Sequence, residues 1–337
     1  MRGIEFLLGI VLLPLLGCVP VTEFHDPDNR YTPASSFQKE VINYPHIHIA
    51  SSQLPSEVKV FRNLSYVRYG RRHLQLDIYA PTNAGDSARP AVVLVHGGGW
   101  RAGYRQNLAA LAIALAERGY VAATISYRLS PEAPYPAAIH DVKAAIRWLR
   151  SQAQVYGVDA AKIAVAGTSA GGQIAALTGV TNGLATFDPQ ASMSAVPSDV
   201  QAIVNIDGLS DFTLPEALKY EDDPRKNPSA AGQWFGGRYA EKPHLWREAS
   251  PIHYVRDGLP PILFIHSSQT RFSLGREQMI EKLQAHAVPY HVEGFAESPH
   301  TFWLFDPWLK PTAGIIADFL DQHFYGSLSN PIDRSVH

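Results

Sequence analysis

Cysteine is almost missing from this chain: Cys18 is the only one among 337 residues. One cysteine cannot form an intrachain disulfide, so the folded protein must depend on its hydrophobic core. Cysteine and histidine pairs with the spacing of a zinc site are also absent from the sequence. We therefore expect neither a bound metal nor a cofactor.

The chain also lacks an excess of positive or of negative charge. The chain has 29 lysines and arginines against 31 aspartates and glutamates, a formal net charge of −2. Without a basic stripe there is no reason to expect a nucleic-acid partner. The sequence shows no heptads or internal repeats, whereas its 46% of hydrophobic residues is enough for one large core.

The apolar run near the start of the chain is too short to span a bilayer. It covers residues 7–16, follows Arg2 and ends in Leu15-Leu16-Gly17-Cys18. This is typical of a bacterial secretion signal, and its ending resembles the lipobox of lipoproteins, in which the cysteine is lipidated. We predict a signal peptide over residues 1–18, lipidation of Cys18 and a place in the bacterial cell envelope. A soluble periplasmic protein and a buried N-terminal helix are the alternatives.

The rest of the chain divides by composition. Residues 19–56 are rich in proline, aspartate, asparagine and serine and have no periodicity, which predicts a tether that partly wraps the domain. One domain is expected over residues 57–326, followed by a tail over residues 327–337. An antiparallel hairpin should open the domain, because residues 58–69 and 73–79 are typical of strands.

Beyond the hairpin, continuous apolar segments alternate with helical ones. Further strands are predicted over residues 91–95, 120–127, 162–166, 200–206, 262–266 and 290–295, and helices over 107–118, 137–154, 276–287 and 314–323. This alternation predicts an α/β fold with a mostly parallel central sheet and helices on both faces. Residues 207–256, after the sixth strand, break the alternation, and we expect them to form an insertion over the active-site face.

The organising feature is a serine between glycines, in Gly167-Thr168-Ser169-Ala170-Gly171-Gly172. A buried strand runs into it and a helix of small residues leaves it. A turn this sharp needs glycine where strand and helix nearly touch, and it raises the Ser169 hydroxyl above the sheet at a helix N-terminus. The pattern predicts a nucleophile elbow.

A second glycine cluster, His96-Gly97-Gly98-Gly99-Trp100, follows the strand over residues 91–95. Consecutive glycines let backbone amides approach a ligand closely, as stabilising an oxyanion requires. We predict an oxyanion hole formed by the amides of Gly98, Gly99 and Ala170.

Together these motifs resemble a known family. His96-Gly97-Gly98-Gly99-Trp100, Tyr127-Arg128-Leu129-Ser130-Pro131, the serine elbow and Pro299-His300 are similar to the α/β-hydrolase esterases related to hormone-sensitive lipase and to bacterial feruloyl and acetylxylan esterases. The resemblance covers about residues 58–325. It implies an α/β-hydrolase fold and ester hydrolysis, with Ser169 as nucleophile and His300 as general base.

The position of His300 supports the same role independently. It lies in the loop after the last predicted strand, and the order serine then histidine along the chain is that of α/β-hydrolases. His96, His140 and His266 lie at strand ends or in a helix, and we expect them to be structural.

The third catalytic residue is where the sequence departs from the family. The usual aspartate would stand at about Thr270, which cannot act as an acid. Glu297 is our first candidate, because it shares the loop of the catalytic histidine and can reach its Nδ1. Asp211 is the main competitor, and Asp207 and Glu277 are remote candidates. A dyad of serine and histidine that works without an acid is the other alternative.

Three further residues are candidates for substrate binding. Trp100 adjoins the oxyanion loop and Trp303 adjoins the catalytic histidine, so either could line an acyl or sugar pocket. Arg271 could meet an anionic group such as a uronate, or it could pair with a structural carboxylate.

We therefore predict an exported serine esterase that works through an acyl-enzyme. Its expected substrates are short acyl esters, acetyl or feruloyl, on polysaccharide fragments. The alternatives are a general carboxylesterase acting on small lipophilic esters and a non-catalytic binding protein with a hydrolase fold. The only membrane contact expected is through the N-terminal lipid anchor.

Overall fold

A computed structural model describes residues 30–83, 87–130, 132–189 and 194–326. The predicted signal peptide with Cys18, the predicted tail and Pro131 lie outside these residues. The strands are β1 His48–Ile49, β2 Val58–Tyr69, β3 Arg72–Pro81, β4 Arg89–Val95, β5 Val121–Ile125, β6 Val158–Thr168, β7 Ala202–Ile206, β8 Ile262–His266, β9 Tyr290–Gly294 and β10 Phe305–Asp306. The helices are α1 Pro33–Glu40, α2 Ala109–Glu117, α3 Ala137–Ser151, α4 Ala153–Tyr156, α5 Ala170–Val180, α6 Pro215–Glu221, α7 Ala230–Phe235, α8 Pro243–Glu248, α9 Arg276–Ala285 and α10 Leu309–Tyr325.

Eight strands form the central sheet, in the order β2-β3-β5-β4-β6-β7-β8-β9. β2 and β3 form the predicted antiparallel hairpin, and β3 is also antiparallel to β5. Every other neighbouring pair in this sheet is parallel. The mostly parallel sheet predicted from the alternating segments is therefore confirmed.

Helices cover both faces of the sheet, because its central strands are apolar on both sides. Along β4, Val93 and Val95 point into one core, which includes side chains of α3 and α5. The alternate residues Val92 and Leu94 point into a second core with α2 and α10. The two-residue period of a strand divides its side chains between the two layers in this way.

The order in which the chain connects the central strands determines where the site lies. From β4 the chain passes to β5 on one side and returns to β6 on the other. At such a switch the loops at the carboxyl ends of the strands diverge and leave a crevice, which is where α/β proteins bind ligands. The glycine cluster after β4 and the serine after β6 both border this crevice.

The segment predicted as a tether packs on the domain where the structure describes it. Thr32 caps α1 through its hydroxyl, which accepts a hydrogen bond from the Ser35 amide at 3.1 Å. β1 pairs antiparallel with β10 through His48 with Asp306 and Ile49 with Phe305. Neither α1 nor β1 was predicted from the sequence, since both are short and depend on tertiary packing.

The interval 207–256 contains α6, α7 and α8. Its interior is an aromatic cluster in which Trp234, Phe235 and Trp246 are at most 1% exposed. Phe212 packs edge-on against both Phe235 and Trp246. These contacts show that the aromatic side chains of this interval form a core of their own. No helix in the described part of the chain is both long enough and apolar enough to cross a membrane.

Candidate active site

Ser169 stands at the turn between β6 and α5, as the elbow pattern predicts. Its backbone has φ 54° and ψ −123°, an uncommon conformation for a residue with a side chain. A Cβ on Gly167 would come within 2.0 Å of the Gly171 carbonyl oxygen, so strand and helix touch where the sequence has glycine. The turn leaves the Ser169 side chain partly exposed, at the bottom of the crevice.

His300 joins this serine to a carboxylate. Its Nε2 lies 2.8 Å from Ser169 Oγ, and its Nδ1 lies 2.8 Å from Asp207 Oδ2. A carboxylate can only accept hydrogen bonds, so Nδ1 carries the proton and donates to Asp207. Nε2 is then free to accept a hydrogen bond from the serine hydroxyl. This is the geometry of a serine, histidine and acid triad.

Asp207 is held in place by the strands on either side of it. Thr168 pairs with Ile206 in the sheet, so Ser169 and Asp207 leave β6 and β7 at the same level. The Asp207 carboxylate also accepts hydrogen bonds from the Ser267 amide at 3.1 Å and the Ser267 hydroxyl at 2.5 Å. The aspartate is 2% exposed, and Ser267 and His300 together hold its carboxylate in place.

The structure corrects the choice of acid made from the sequence. Glu297 is exposed to solvent, and the position at His300 Nδ1 is taken by Asp207. Asp211 accepts hydrogen bonds from the amide and hydroxyl of Thr213, both at 2.7 Å. Asp207 was only a remote candidate. The signal that could have identified it is its position directly after a buried strand that neighbours the strand leading to Ser169.

The imidazole is enclosed by aromatic rings. Phe272 stacks on it with 3.3 Å between the ring centroids and 8° between the planes, and Trp303 packs edge-on at 5.2 Å. Burial lowers the pKa of His300 below its ordinary value of 6.5, against the opposing effect of the Asp207 carboxylate. The ring is therefore neutral at pH 7, as a general base must be.

The predicted oxyanion residues lie beside Ser169. Gly98, Gly99 and Ala170 line the same cavity as the serine. Gly98 has φ +122° and Gly99 has φ +59°, values that residues with side chains rarely adopt. A Cβ on Gly98 would also come within 2.1 Å of the Ala102 carbonyl oxygen, so this loop requires glycine.

The crevice is a cavity of about 650 Å³. Its walls come from α1 with the residues before it, the loops after β4, β6 and β9, the interval containing α6 and α7, and the turn around residue 271. The side chains that reach it from α1 include Ser35, Ser36 and Glu40, which sequence analysis did not connect with the site.

The three predicted substrate-binding residues have different positions. Trp100 lines the cavity, stacks on Trp234 and donates a hydrogen bond from its indole nitrogen to Gln173 Oε1 at 2.9 Å. Arg271 lines the cavity as well. Trp303 is 1% exposed and packs behind His300, so it supports the imidazole and does not line the cavity.

Of the histidines expected to be structural, His96 is the best defined. It is 1% exposed and stacks on Tyr127 with 4.5 Å between the ring centroids. Burial lowers the pKa of His96 to about 4. In the described part of the chain, no group of three or more histidine, cysteine, aspartate or glutamate side chains is placed to hold a metal ion.

The fold and the arrangement around Ser169 define a serine hydrolase of the α/β-hydrolase class. A family model described as BD-FAE matches residues 76–272. Esterase LipC of Mycobacterium tuberculosis is 34% identical over 294 residues, which cover 81% of this chain and 70% of LipC. Esterase LipQ of the same bacterium is 29% identical over 277 residues, which cover 79% of this chain and 61% of LipQ.

A solved structure has the same fold. A truncated carbohydrate esterase from gut microbiota superposes with a TM-score of 0.67 at 24% identity, covering 80% of this chain and 98% of that one. This chain belongs to the BD-FAE family. It is a serine carboxylic-ester hydrolase, as the sequence motifs predicted.

Proposed function

We propose that this esterase hydrolyses short acyl esters on polysaccharide fragments, with Ser169 as nucleophile, His300 as general base and Asp207 as the orienting acid. The observation that carries the assignment of roles is the continuous line of hydrogen bonds from Ser169 Oγ through His300 to Asp207. This arrangement meets the geometric requirement for transferring the hydroxyl proton as the serine attacks.

The reaction follows from these positions. Ser169 Oγ attacks the ester carbonyl carbon while its proton passes to His300 Nε2. The amides of Gly98, Gly99 and Ala170 stabilise the negative charge on the carbonyl oxygen. His300 then gives the proton to the departing alkoxide, which leaves as the alcohol and forms the acyl-enzyme. Water attacks the acyl group with the same assistance, and the carboxylic acid and free serine are released.

The proposal of a carbohydrate substrate rests on the polar character of the cavity. The polar residues Ser35, Ser36, Ser229 and Tyr220 line it, and so does Glu40, which is 6% exposed. Such groups match the hydroxyls of a sugar better than they match an alkyl chain. The fold likeness to a carbohydrate esterase is compatible with this choice. Small lipophilic esters are the competing substrates, because the stacked Trp100 and Trp234 give the same cavity an apolar part.

The catalytic assignment is tested with Ser169→Ala. We expect kcat for p-nitrophenyl acetate to fall about 10⁴-fold or more while the fold is kept, since binding and the oxyanion hole alone leave little turnover. A serine-reactive phosphonate should add its mass to the peptide that contains Ser169. Ser151→Ala, on the far end of α3, is the matched control. A folded Ser169→Ala variant with a tenth of the activity would exclude this serine as the nucleophile.

The substrate is tested by measuring acetate and ferulate release from decorated oligosaccharides, in comparison with p-nitrophenyl butyrate. A higher kcat/KM for an oligosaccharide ester supports the proposal. The reverse order would make the protein a general carboxylesterase.

A further inference from the structure

Arg271 is held at the edge of the cavity by two aromatic rings. Its guanidinium carbon lies 4.0 Å from the centroid of the Phe272 ring and 5.5 Å from that of Tyr220. Phe272 also stacks on His300, so one phenyl ring separates the guanidinium from the imidazole. Stacking of this kind orients a guanidinium without using its N–H groups.

The alternative considered from the sequence, a structural ion pair, is not found. Within the described part of the chain, no carboxylate oxygen comes within 4.0 Å of the Arg271 nitrogens. Arg271 interacts electrostatically with the Glu221 carboxylate, but the two groups form no ion pair. Burial raises the pKa of Glu221, and Arg271 and Lys226 oppose this effect. The planar fork of Arg271 thus keeps its hydrogen-bonding capacity at the cavity edge.

The charges around the cavity favour an anion as well. Cationic side chains outnumber carboxylates among the lining residues: Arg30, Lys39, Arg101, Lys226 and Arg271 against Glu40, Asp207 and Glu221. Glu40 and Lys39 lie 3.6 Å apart and offset each other. Arg101, Lys226 and Arg271 still exceed the carboxylates Asp207 and Glu221, and this positive balance raises the local concentration of an anionic substrate.

We infer that the ester substrate carries a carboxylate and that Arg271 binds it while Ser169 attacks the ester. This inference rests on the proposed esterase function and narrows its substrate class. The carboxylate could belong to the alcohol, as in an acylated uronic acid, or to the acyl group, as in the half-ester of a dicarboxylic acid. Both present the same planar anion to the guanidinium.

The test compares kcat/KM within two pairs of esters that differ in one carboxylate. In the first pair the alcohol carries it: an acetylated methyl glucuronoside against the acetylated methyl glucoside. In the second the acyl group carries it: mono-p-nitrophenyl succinate against p-nitrophenyl butyrate. The full chain is used as wild type, Arg271→Gln, Arg271→Lys and Arg71→Gln. Arg71 is an exposed arginine in the turn between β2 and β3 and is the matched control.

We expect wild type to favour the charged member of at least one pair by about 10- to 100-fold, the range for hydrogen bonds to a charged group. Arg271→Gln should remove most of this preference and Arg271→Lys should keep part of it, because lysine retains the charge without the fork. Arg71→Gln should retain the wild-type ratio. Added salt should reduce the preference, as it screens charges at an exposed site.

Two results would contradict the inference, and they differ in what they mean for the esterase function. If the neutral esters are hydrolysed and neither charged partner is preferred, or if Arg271→Gln leaves the ratio unchanged, the inference is wrong while the esterase function stands. If no ester is turned over and the phosphonate does not label Ser169, the proposed function fails and this inference fails with it.

Discussion

Ser169 and Asp207 share an unusual backbone conformation, with φ of 54° and 51°. A non-glycine residue in this region costs about 1–3 kcal/mol and persists only where the surrounding structure holds it. Here the next strand does so in each case: the Ser169 amide donates to the Ile206 carbonyl and the Asp207 amide donates to the Ile265 carbonyl, both at 2.8 Å. Both residues that hydrogen-bond to His300 are therefore held in this conformation by the neighbouring strand.

Asp207→Asn tests this account of the acid. We expect kcat to fall by up to about 10⁴-fold, because an amide no longer selects the imidazole tautomer that leaves Nε2 free to accept the serine proton. Loss of the carboxylate also removes an influence that raises the pKa of His300, so any residual activity should have its acidic limb at lower pH. Steady-state rates over a pH series measure both effects.

Asp211→Asn and Glu297→Gln are the matched controls for this variant. Each removes a carboxylate that lies outside the hydrogen-bonded line, so each should retain most of the wild-type kcat. A larger loss of kcat in Glu297→Gln than in Asp207→Asn, at equal stability, would show that Glu297 is the catalytic acid.

The elbow depends on the close approach of β4, β6 and α5, which Gly167 and Gly171 allow. A Cβ on Gly171 would come within 2.2 Å of the Val95 carbonyl oxygen and 2.5 Å of the His96 carbonyl oxygen. Both atoms belong to the backbone that leads into the oxyanion loop. The helix that begins after Ser169 is thus positioned directly against the loop that carries Gly98.

Gly171→Ala should therefore affect both stability and catalysis. Backbone atoms cannot move aside as a side chain can, so we expect the free energy of unfolding to fall by about 1–3 kcal/mol or more. The activity of the folded fraction should fall as well, because the oxyanion loop is displaced. Urea unfolding followed by fluorescence measures the first effect and p-nitrophenyl acetate turnover the second.

Gly314→Ala in α10 is the control for this variant. Its nearest obstacle is the Arg118 side chain, at 3.0 Å from the added Cβ, and this side chain can shift. Alanine also favours a helix by about 1 kcal/mol over glycine. Equal stability losses in the two variants would show that the approach of β4 to α5 is not what requires glycine.

Burial of several histidines makes the folding stability of the whole molecule depend on pH. Burial lowers the pKa of His96 to about 4, and it lowers the pKa of His140, His253 and His323 from the same ordinary value of 6.5. Between these lowered values and 6.5 the unfolded chain binds protons that the folded chain does not. Protonation therefore favours unfolding in this range, and stability increases with pH.

We expect the free energy of unfolding to decrease as the pH falls from 7 to 4. His96 alone should contribute about 3 kcal/mol to this decrease, since a shift of one pKa unit corresponds to about 1.4 kcal/mol. Urea denaturation at a series of pH values measures the change, and His96→Asn should reduce the slope below pH 6.5. A stability that is constant from pH 7 to pH 4 would contradict the burial of these side chains.

The place of the protein in the cell is a separate prediction, because Cys18 lies outside the described residues. We propose lipidation at Cys18 from the Leu15-Leu16-Gly17-Cys18 ending. Expressed with its own leader in a Gram-negative host, the protein should fractionate with membranes, and Cys18→Ser should prevent lipidation. Recovery of wild type as soluble periplasmic protein, with a different mature N-terminus, would exclude the lipobox.

The sequence by itself determined the eight strands of the central sheet and the elbow, because these depend on neighbours along the chain. β8 was predicted within its observed bounds, and the hairpin, the glycine turn at Ser169 and the loop of His300 follow from local patterns of apolar residues and glycine. Even there, one predicted helix divides into α3 and α4.

Only the tertiary structure decided which acid serves His300 and what surrounds the substrate. Asp207 is 93 residues from His300 in sequence, and the pairing of β6, β7 and β8 brings it to the imidazole. Glu297 is close in sequence yet exposed, because the loop turns it outward. The walls supplied by α1 and α6 also depend on contacts between distant segments. Proximity along the chain predicts local turns, whereas the register of neighbouring strands decides which side chains share a site.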